Sequence, residues 1–149
     1  MKNVTVNQET KIISFDITNL YTNVPITETL NIIKGKIDKQ YNKEESRLII
    51  NMLRTIVEQN YFQFNNKIYK QQEGLARGSP LSAILSEIFL QHMEEKLIPQ
   101  IMNKYNVKHW FRYVDNCLCI IDNGCNDVNS LHNFLNSANK NLKFTVEVE

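Results

Sequence analysis

Residues 111–121 read FRYVDNCLCII. Val114, Asp115 and Asn116 stand between two short runs of aromatic and apolar residues, "VKHWFRYV" before them and "CLCIID" after. Runs of this kind around a short polar centre pattern as two strands joined by a tight turn. The stretch therefore predicts a hairpin with Asp115 at its tip. An acidic oxygen at such a tip is well placed to hold a cation. The following residue is Asn116, not a second acid, and the meaning of that choice depends on what else reaches the same edge.

A second acidic residue sits in "KIISFDI". Ile13, Phe15 and Ile17 alternate with Ser14 and Asp16, the period of a strand with one apolar face. Taken alone, Asp16 or Asp115 is an ordinary polar residue on a strand surface. Taken together, on neighbouring strands, their carboxylates would converge on one edge. Two carboxylates held close repel unless a cation lies between them. Mg²⁺ suits such a pair, because it needs only one or two carboxylates and completes its shell with water and phosphate oxygens.

Outward from these strands the chain alternates between element types. "LYTNVPI" interrupts the first strand's pattern, and Pro25 ends regular pairing. A helix is predicted from Thr27, with Leu30, Ile33 and Ile37 at helical spacing. A second spans about 43–60, with Ile49, Met52, Leu53, Ile56 and Val57 as its apolar stripe. "YFQFNNKIYKQ" reads as a hairpin turning at Asn65-Asn66. "GLARGSP" is a glycine-punctuated loop ending in Ser79 as a helix N-cap and Pro80 at the first helical position. That helix is predicted to stop near Leu97, before Pro99. Asp127 is a candidate cap for a short helix carrying Val128, Leu131, Leu135 and Ala138. "LKFTVEVE" closes the chain as a strand, with Phe144, Val146 and Val148 on one face. The order predicts an α+β fold, an antiparallel sheet covered by helices on one face.

Composition narrows the function classes. The chain has 149 residues, enough for one real core, and 42% of them are apolar. The net charge of +1 gives no bulk electrostatic argument for a nucleic-acid partner, so any such role must rest on local chemistry. No apolar run reaches the ~18 residues needed to span a bilayer, and "MKNVTVNQET" has no signal-peptide character. The odd cysteine count, Cys117, Cys119 and Cys125, points to reduced thiols inside a cell. Adding His132 as a fourth zinc ligand matches no standard finger spacing.

Four blocks in order, "SFDITNLYTNVPI", "GLARGSPLSAILSEIF", "FRYVDN" and "LNSANKNLKFTVEVE", resemble motifs A, B, C and D of the reverse-transcriptase palm. "VEQNYFQF" and the "KFTVEVE" ending look most like Penelope-like retroelements. The resemblance implies a polymerase palm, a small antiparallel sheet packed on helices, spanning residues 1–149, with fingers and thumb lying outside the chain. It implies RNA-directed DNA synthesis on a primed RNA or DNA template from deoxynucleoside triphosphates, within the nucleus or cytoplasm, using two Mg²⁺ ions. Carried over by position, Asp16 and Asp115 are the metal-holding acids, with the carbonyl of Ile17 as a further ligand. Tyr21 stands at the steric gate against a 2′-hydroxyl. Gly78 and Ser79 stand where the backbone approaches the nucleotide. Lys140 and Lys143 fall near the motif D lysine, whose proposed role is to protonate the leaving pyrophosphate.

Two positions depart from that pattern. Arg77 stands where Gln or Met is usual and would add positive charge near template or nucleotide. Asn116 stands where motif C has a second acid, removing one negative charge from the site. Asn116, and strands lying at both ends of the chain, lead to the expectation of a fragment or a degraded copy. The competing expectation is a non-catalytic nucleic-acid-binding remnant, since sheets of this layout also bind bases on exposed aromatics.

Overall fold

The computed structural model describes residues 10–121 and 128–148. Cys125 and Asp127 lie outside the described residues. The elements in order are β1 (Lys11–Ile17), α1 (Leu20–Asn23), α2 (Ile26–Ile37), α3 (Lys43–Glu58), β2 (Tyr61–Phe64), β3 (Lys67–Lys70), α4 (Pro80–Tyr105), β4 (Val107–Tyr113), β5 (Asn116–Ile121), α5 (Val128–Ala138) and β6 (Phe144–Val148). They divide into two compact units, and the division falls within α4 between His92 and Met93.

The unit formed by β1, the later part of α4, β4, β5, α5 and β6 is built on a four-stranded sheet of order β4-β5-β1-β6. All its neighbouring strands are antiparallel. Alternation decides its faces. Ile13, Phe15 and Ile17 of β1 are buried, as are Cys117, Cys119 and Ile121 of β5. Asp16 between them is exposed, and so are Asn116 and Leu118. Phe15 centres the buried face, its ring 6.1 Å from Trp110 and 6.4 Å from His132 of α5. Leu97, Ile101 and Tyr105 of α4, one turn apart, are buried together with Leu131 and Leu135 of α5. Helices thus cover one face and leave Asp16's face open.

Two differences from the sequence pattern have physical causes. Helix α4 does not stop before Pro99 but runs through it to Tyr105. A proline removes one backbone donor and crowds the preceding turn. Here it lies on the exposed side, while burial of Leu97, Ile101 and Tyr105 carries the helix onward. Residues Leu20–Asn23, predicted as a break, close a single helical turn. The Val24 N–H donates to the Leu20 carbonyl at 3.1 Å, and both residues are buried.

The unit Asn19–His92 is mostly helical. Asn42 caps α3, accepting from the N–H groups of Glu44 and Glu45 at 3.0 Å each, while Glu45 returns a bond to the Asn42 N–H at 3.2 Å. The stripe predicted for α3 is only partly its buried face. Ser46 and Ile50 are buried, whereas Leu48, Met52 and Ile56 are exposed. Apolar residues occupy a wider arc of α3 than its neighbours cover, so periodicity overstates the buried set. Strands β2 and β3 form the expected hairpin, and Asn65 and Asn66 both take positive φ, 49° and 55°. That is the pair of left-handed residues a tight hairpin turn demands. Among the described residues, no helix is long and apolar enough to cross a membrane.

Asn136 and His132 of α5 both fasten β6 at Phe144. Asn136 accepts from the Phe144 N–H at 2.8 Å and donates to the Phe144 carbonyl at 3.2 Å. Asn136→Ala is expected to lower stability by about 1–3 kcal/mol, because it leaves the N–H of the buried Phe144 without this partner while His132 still meets the carbonyl at 2.6 Å. Thermal unfolding of the two proteins checks this, and equal midpoints would show that water replaces the amide freely.

Candidate active site

Asp16 reaches the open face because Phe15 and Ile17 take the buried one. Its Cα partner across β5 is Asn116, and across β6 it is Thr145. Tyr113 pairs with the same Asn116 from β4. Directly paired residues share a face, so Asp16, Asn116, Tyr113 and Thr145 form one row across the open sheet.

Strands β4 and β5 are joined by Val114 and Asp115 alone. Val114 has φ 56°. A β-branched residue in the left-handed region is strained by about 1–3 kcal/mol, the kind of local strain that surrounding structure must hold in place. The Asp115 carbonyl accepts from the Ile17 N–H at 2.9 Å. This bond ties the hairpin tip to the end of β1, beside Asp16. The three motif residues Asp16, Asp115 and Asn116 therefore meet at one corner of the sheet. The side-chain amide of Asn116 donates to Asp115 Oδ1 at 3.3 Å. A carboxylate at position 116 has no such donor, so the neutral residue removes a charge and supplies a hydrogen bond to the acid that remains.

A cavity of about 280 Å³ opens beside this corner, lined by Ser14, Phe111, Tyr113, Asn116 and Leu118, with Arg112 and Cys117. Tyr113 is 81% exposed. Below, burial pushes the Cys117 thiol up to about 12, and the Glu94 carboxylate adds to that, with smaller contributions from Asp16 and Asp115 against an opposing one from Arg112. The thiol is thus held neutral beneath a locally negative corner.

Asp16 and Asp115 are two oxygen donors, and among the described residues no group of three His, Cys, Asp or Glu stands together. That donor set fits Mg²⁺, which asks little of the protein and takes the rest from water and phosphate. Zinc is poorly served by comparison, since structural zinc takes four protein ligands, mostly Cys and His. Cys117 and Cys119 are buried free thiols, and His132 is engaged by the Phe144 carbonyl at 2.6 Å. Lys143 is exposed, and its carbonyl accepts from Thr18 at 2.8 Å, just past β1. Lys140 is exposed in the turn after α5.

The remaining predicted residues belong to the unit Asn19–His92. Tyr21 lies half-buried in α1, and its carbonyl accepts from the Leu75 N–H at 2.7 Å. The preceding residue, Gly74, has φ 74°, and a Cβ there would lie 2.2 Å from the Thr22 carbonyl oxygen. Backbone meets backbone at that point, which only glycine allows. The approach joins the Tyr21 turn to the loop carrying Arg77, Gly78 and Ser79. Arg77 closes the same junction further on, donating from Nη2 to Asn19 Oδ1 at 3.2 Å. Gly78 has φ 86° but faces open space. The Ser79 carbonyl accepts from the Ser82 N–H at 3.0 Å as α4 begins. Sequence pattern assigns a role to Gly78 and none to Gly74, Glu94, Arg112 or Val114. Gly74 looks like any loop glycine until Thr22 is seen against it.

Residues 2–149 match the family described as reverse transcriptase (RNA-dependent DNA polymerase). The chain is similar to apo telomerase from Candida tropicalis, with TM-score 0.73 at 14% identity, covering 97% of this chain and 29% of that one. It is similar to telomerase from Candida albicans in complex with a TWJ fragment of telomeric RNA, with TM-score 0.71 at 14% identity, covering 95% of this chain and 28% of that one. The chain therefore spans less than a third of the length of either telomerase, and the likeness is one of fold. No curated protein matches this sequence.

The two glycines are expected to respond differently to alanine. Gly74→Ala should destabilise by roughly 3 kcal/mol or more, adding a backbone clash to left-handed strain. Gly78→Ala should cost only about 1–2 kcal/mol, from φ alone. Denaturant midpoints decide the matter, and equal losses would mean that Thr22 does not confine Gly74. Cys117 sets an alkaline limit. Its unfolded thiol ionises near 9.0 and its folded thiol near 12, so its stabilising contribution is complete below pH 9.0 and is lost as pH rises toward 12. Cys117→Ala should flatten the fall in stability over that window, as read by unfolding at pH 8 to 11. An unchanged slope would show the thiol already ionised in the folded protein.

Proposed function

This chain belongs to the reverse transcriptase (RNA-dependent DNA polymerase) family, and on that premise we propose that it is the catalytic palm of a retroelement reverse transcriptase, extending a primer 3′-hydroxyl on an RNA or DNA template. The observation that carries the proposal is the corner where β1 and the β4–β5 turn meet. Asp16 pairs with Asn116, and Ile17 bonds the Asp115 carbonyl, so two acidic residues of separate sequence origin stand at one end of the sheet. "VEQNYFQF" and "KFTVEVE" support a Penelope-like origin within the family. Residues 1–149 correspond in this reading to the palm alone, with fingers and thumb contributed by a longer protein that acts within the nucleus or cytoplasm.

Asp16 and Asp115, with the Ile17 carbonyl, are the groups that would hold two Mg²⁺ ions, which make the 3′-hydroxyl a better nucleophile and neutralise charge on the triphosphate when bound. The protein's own residues position the reactants, which supplies much of the rate in phosphoryl transfer. Asn116 orients Asp115 through its amide. Tyr113, exposed on the same row, and the cavity beside it offer an aromatic surface to the primer end. Tyr21 acts as the gate against ribonucleotides, and its turn is held to the Gly78–Ser79 loop by Gly74. Arg77 serves that loop from the inside, through Asn19, as well as adding charge. One observation favours a second reading, a nucleic-acid-binding remnant without catalysis: Asn116 leaves the site a charge short of the family pattern.

Primer extension on an RNA template separates the two, with this palm in a polymerase that also has fingers and thumb. Asp16→Asn and Asp115→Asn should each lower extension by ~100-fold or more, as for loss of a preorganised electrostatic group. Asn116→Asp should raise it, roughly 10- to 1000-fold on the same grounds. A rate left unchanged by Asn116→Asp would mean that the amide's hold on Asp115 substitutes for the acid. No extension from any variant, with salt-dependent RNA binding that persists in chelator, would establish the remnant. Tyr21→Ala should raise ribonucleotide incorporation relative to deoxynucleotide, and an unmoved ratio would remove Tyr21 from the gate.

A further inference from the structure

The strained turn that presents Asp115 is held from beneath by a buried ion pair between Arg112, inside the "FRYVDN" block, and Glu94, which lies in none of the quoted blocks. Glu94 projects from α4 under the edge of the sheet. Its Oε1 accepts from Arg112 Nε at 2.8 Å and from Trp110 Nε1 at 2.9 Å, and its Oε2 accepts from Arg112 Nη2 at 3.0 Å. The Arg112 and Glu94 side chains are only 7% and 13% exposed. The guanidinium has a further nitrogen, and Nη1 donates to the Val114 carbonyl at 3.2 Å. Val114 is the residue with φ 56°, immediately before Asp115.

A buried ion pair is weak evidence for stability, since an apolar pair of similar volume often serves as well or better. Its geometry is the more informative feature. The fork of arginine engages Glu94 along one side through two nitrogens and leaves a third aimed at the turn. Lysine offers a point charge and cannot hold both partners in a fixed plane. Trp110 also donates to the shared oxygen, so Glu94 has a partner besides Arg112. The Val114 carbonyl is thus held by Arg112, and the next carbonyl, that of Asp115, by the Ile17 N–H. Two adjacent peptide groups of the turn are clamped from different elements, and the side chain they carry between them to the surface is Asp115.

We propose that Glu94 and Arg112 are positioning residues, which hold the Val114–Asp115 turn in the strained conformation that aims the Asp115 carboxylate. The functional consequence rests on the reading of Asp16 and Asp115 as a divalent-metal site, while the mechanical part does not. The decisive variant is Arg112→Lys, which retains an ion pair with Glu94 but lacks the third directed donor. Glu94→Gln is the companion, keeping shape and removing the charge that fixes Arg112. Two readouts on the 149-residue chain are needed. The first is residue-resolved amide hydrogen exchange. Both variants should speed exchange across residues 113–117 by about tenfold, the loss expected for one hydrogen bond to a charged group, with exchange at Phe89 and Leu90 in α4 unchanged. The second is Mn²⁺ binding followed by electron paramagnetic resonance, with Asp115→Asn as the benchmark. Both variants should weaken Mn²⁺ several-fold without abolishing it.

Turn exchange in Arg112→Lys equal to that of the original protein overturns the proposal, whatever the metal does. A loosened turn with Mn²⁺ affinity unchanged, where Asp115→Asn abolishes binding, also overturns it, because the brace then does not aim the carboxylate. If Asp115→Asn has no effect on Mn²⁺ binding, the metal-site reading itself fails, and the exchange result alone decides whether the turn is braced. Should Glu94→Gln fail to fold, Arg112→Lys carries the test.

Discussion

The antiparallel register between β1 and β5 is the constraint on which the rest depends. It sets Asp16 opposite Asn116. A one-residue slip exchanges the faces of a strand entirely. Asp16 would then turn inward, and Phe15 and Ile17 would turn to water. Each large apolar side chain returned to solvent forfeits about 1.5–3 kcal/mol, and β1 alone places three such residues in the core. Burial therefore fixes the register, and the carboxylate inherits its place from the hydrophobic residues on either side of it. Its placement needs no stabilising contribution from Asp16 itself.

The β4–β5 turn is held in the opposite way. Val114 is exposed, so burial does little to hold it in the left-handed region, and its branched side chain disfavours that region. Directed polar contacts take over, from Ile17 on one carbonyl and Arg112 on the other. Electrostatics at the corner is similarly shared. Asn116 gives Asp115 a donor where the family pattern has a second anion. The Cys117 thiol below stays neutral because burial and the Glu94 charge both oppose its ionisation.

In the other unit a single close approach has a comparable role. Gly74 lies against Thr22, and Leu75 bonds Tyr21, so the loop with Gly78 and Ser79 is assembled on the turn that follows motif A. Arg77, which departs from the family pattern, finds a partner in Asn19 within the same junction. The departure thus has a local structural use, independent of any charge it offers to a nucleic acid.

Much of this was legible in the residues themselves. Alternation in "KIISFDI" revealed both strand and outward acid, the Asn65-Asn66 pair revealed a tight hairpin, and four ordered motifs revealed the family. These are local signals, set by the period of a strand and by residues that tolerate positive φ. What depends on contacts distant in sequence was not legible. Pro99 reads as a helix stop, yet burial of Ile101 and Tyr105 carries α4 through it. Met52 and Ile56 read as core and are exposed, because periodicity counts apolar residues and not the neighbours available to cover them. Glu94 and Arg112 read as ordinary charges until the sheet brings them together. Local residue pattern sets which residues carry acid and which face of each strand is apolar. Which acid stands beside which, and what clamps the turn between them, is set in the folded chain, because those relations come from register and packing between segments that no local pattern records.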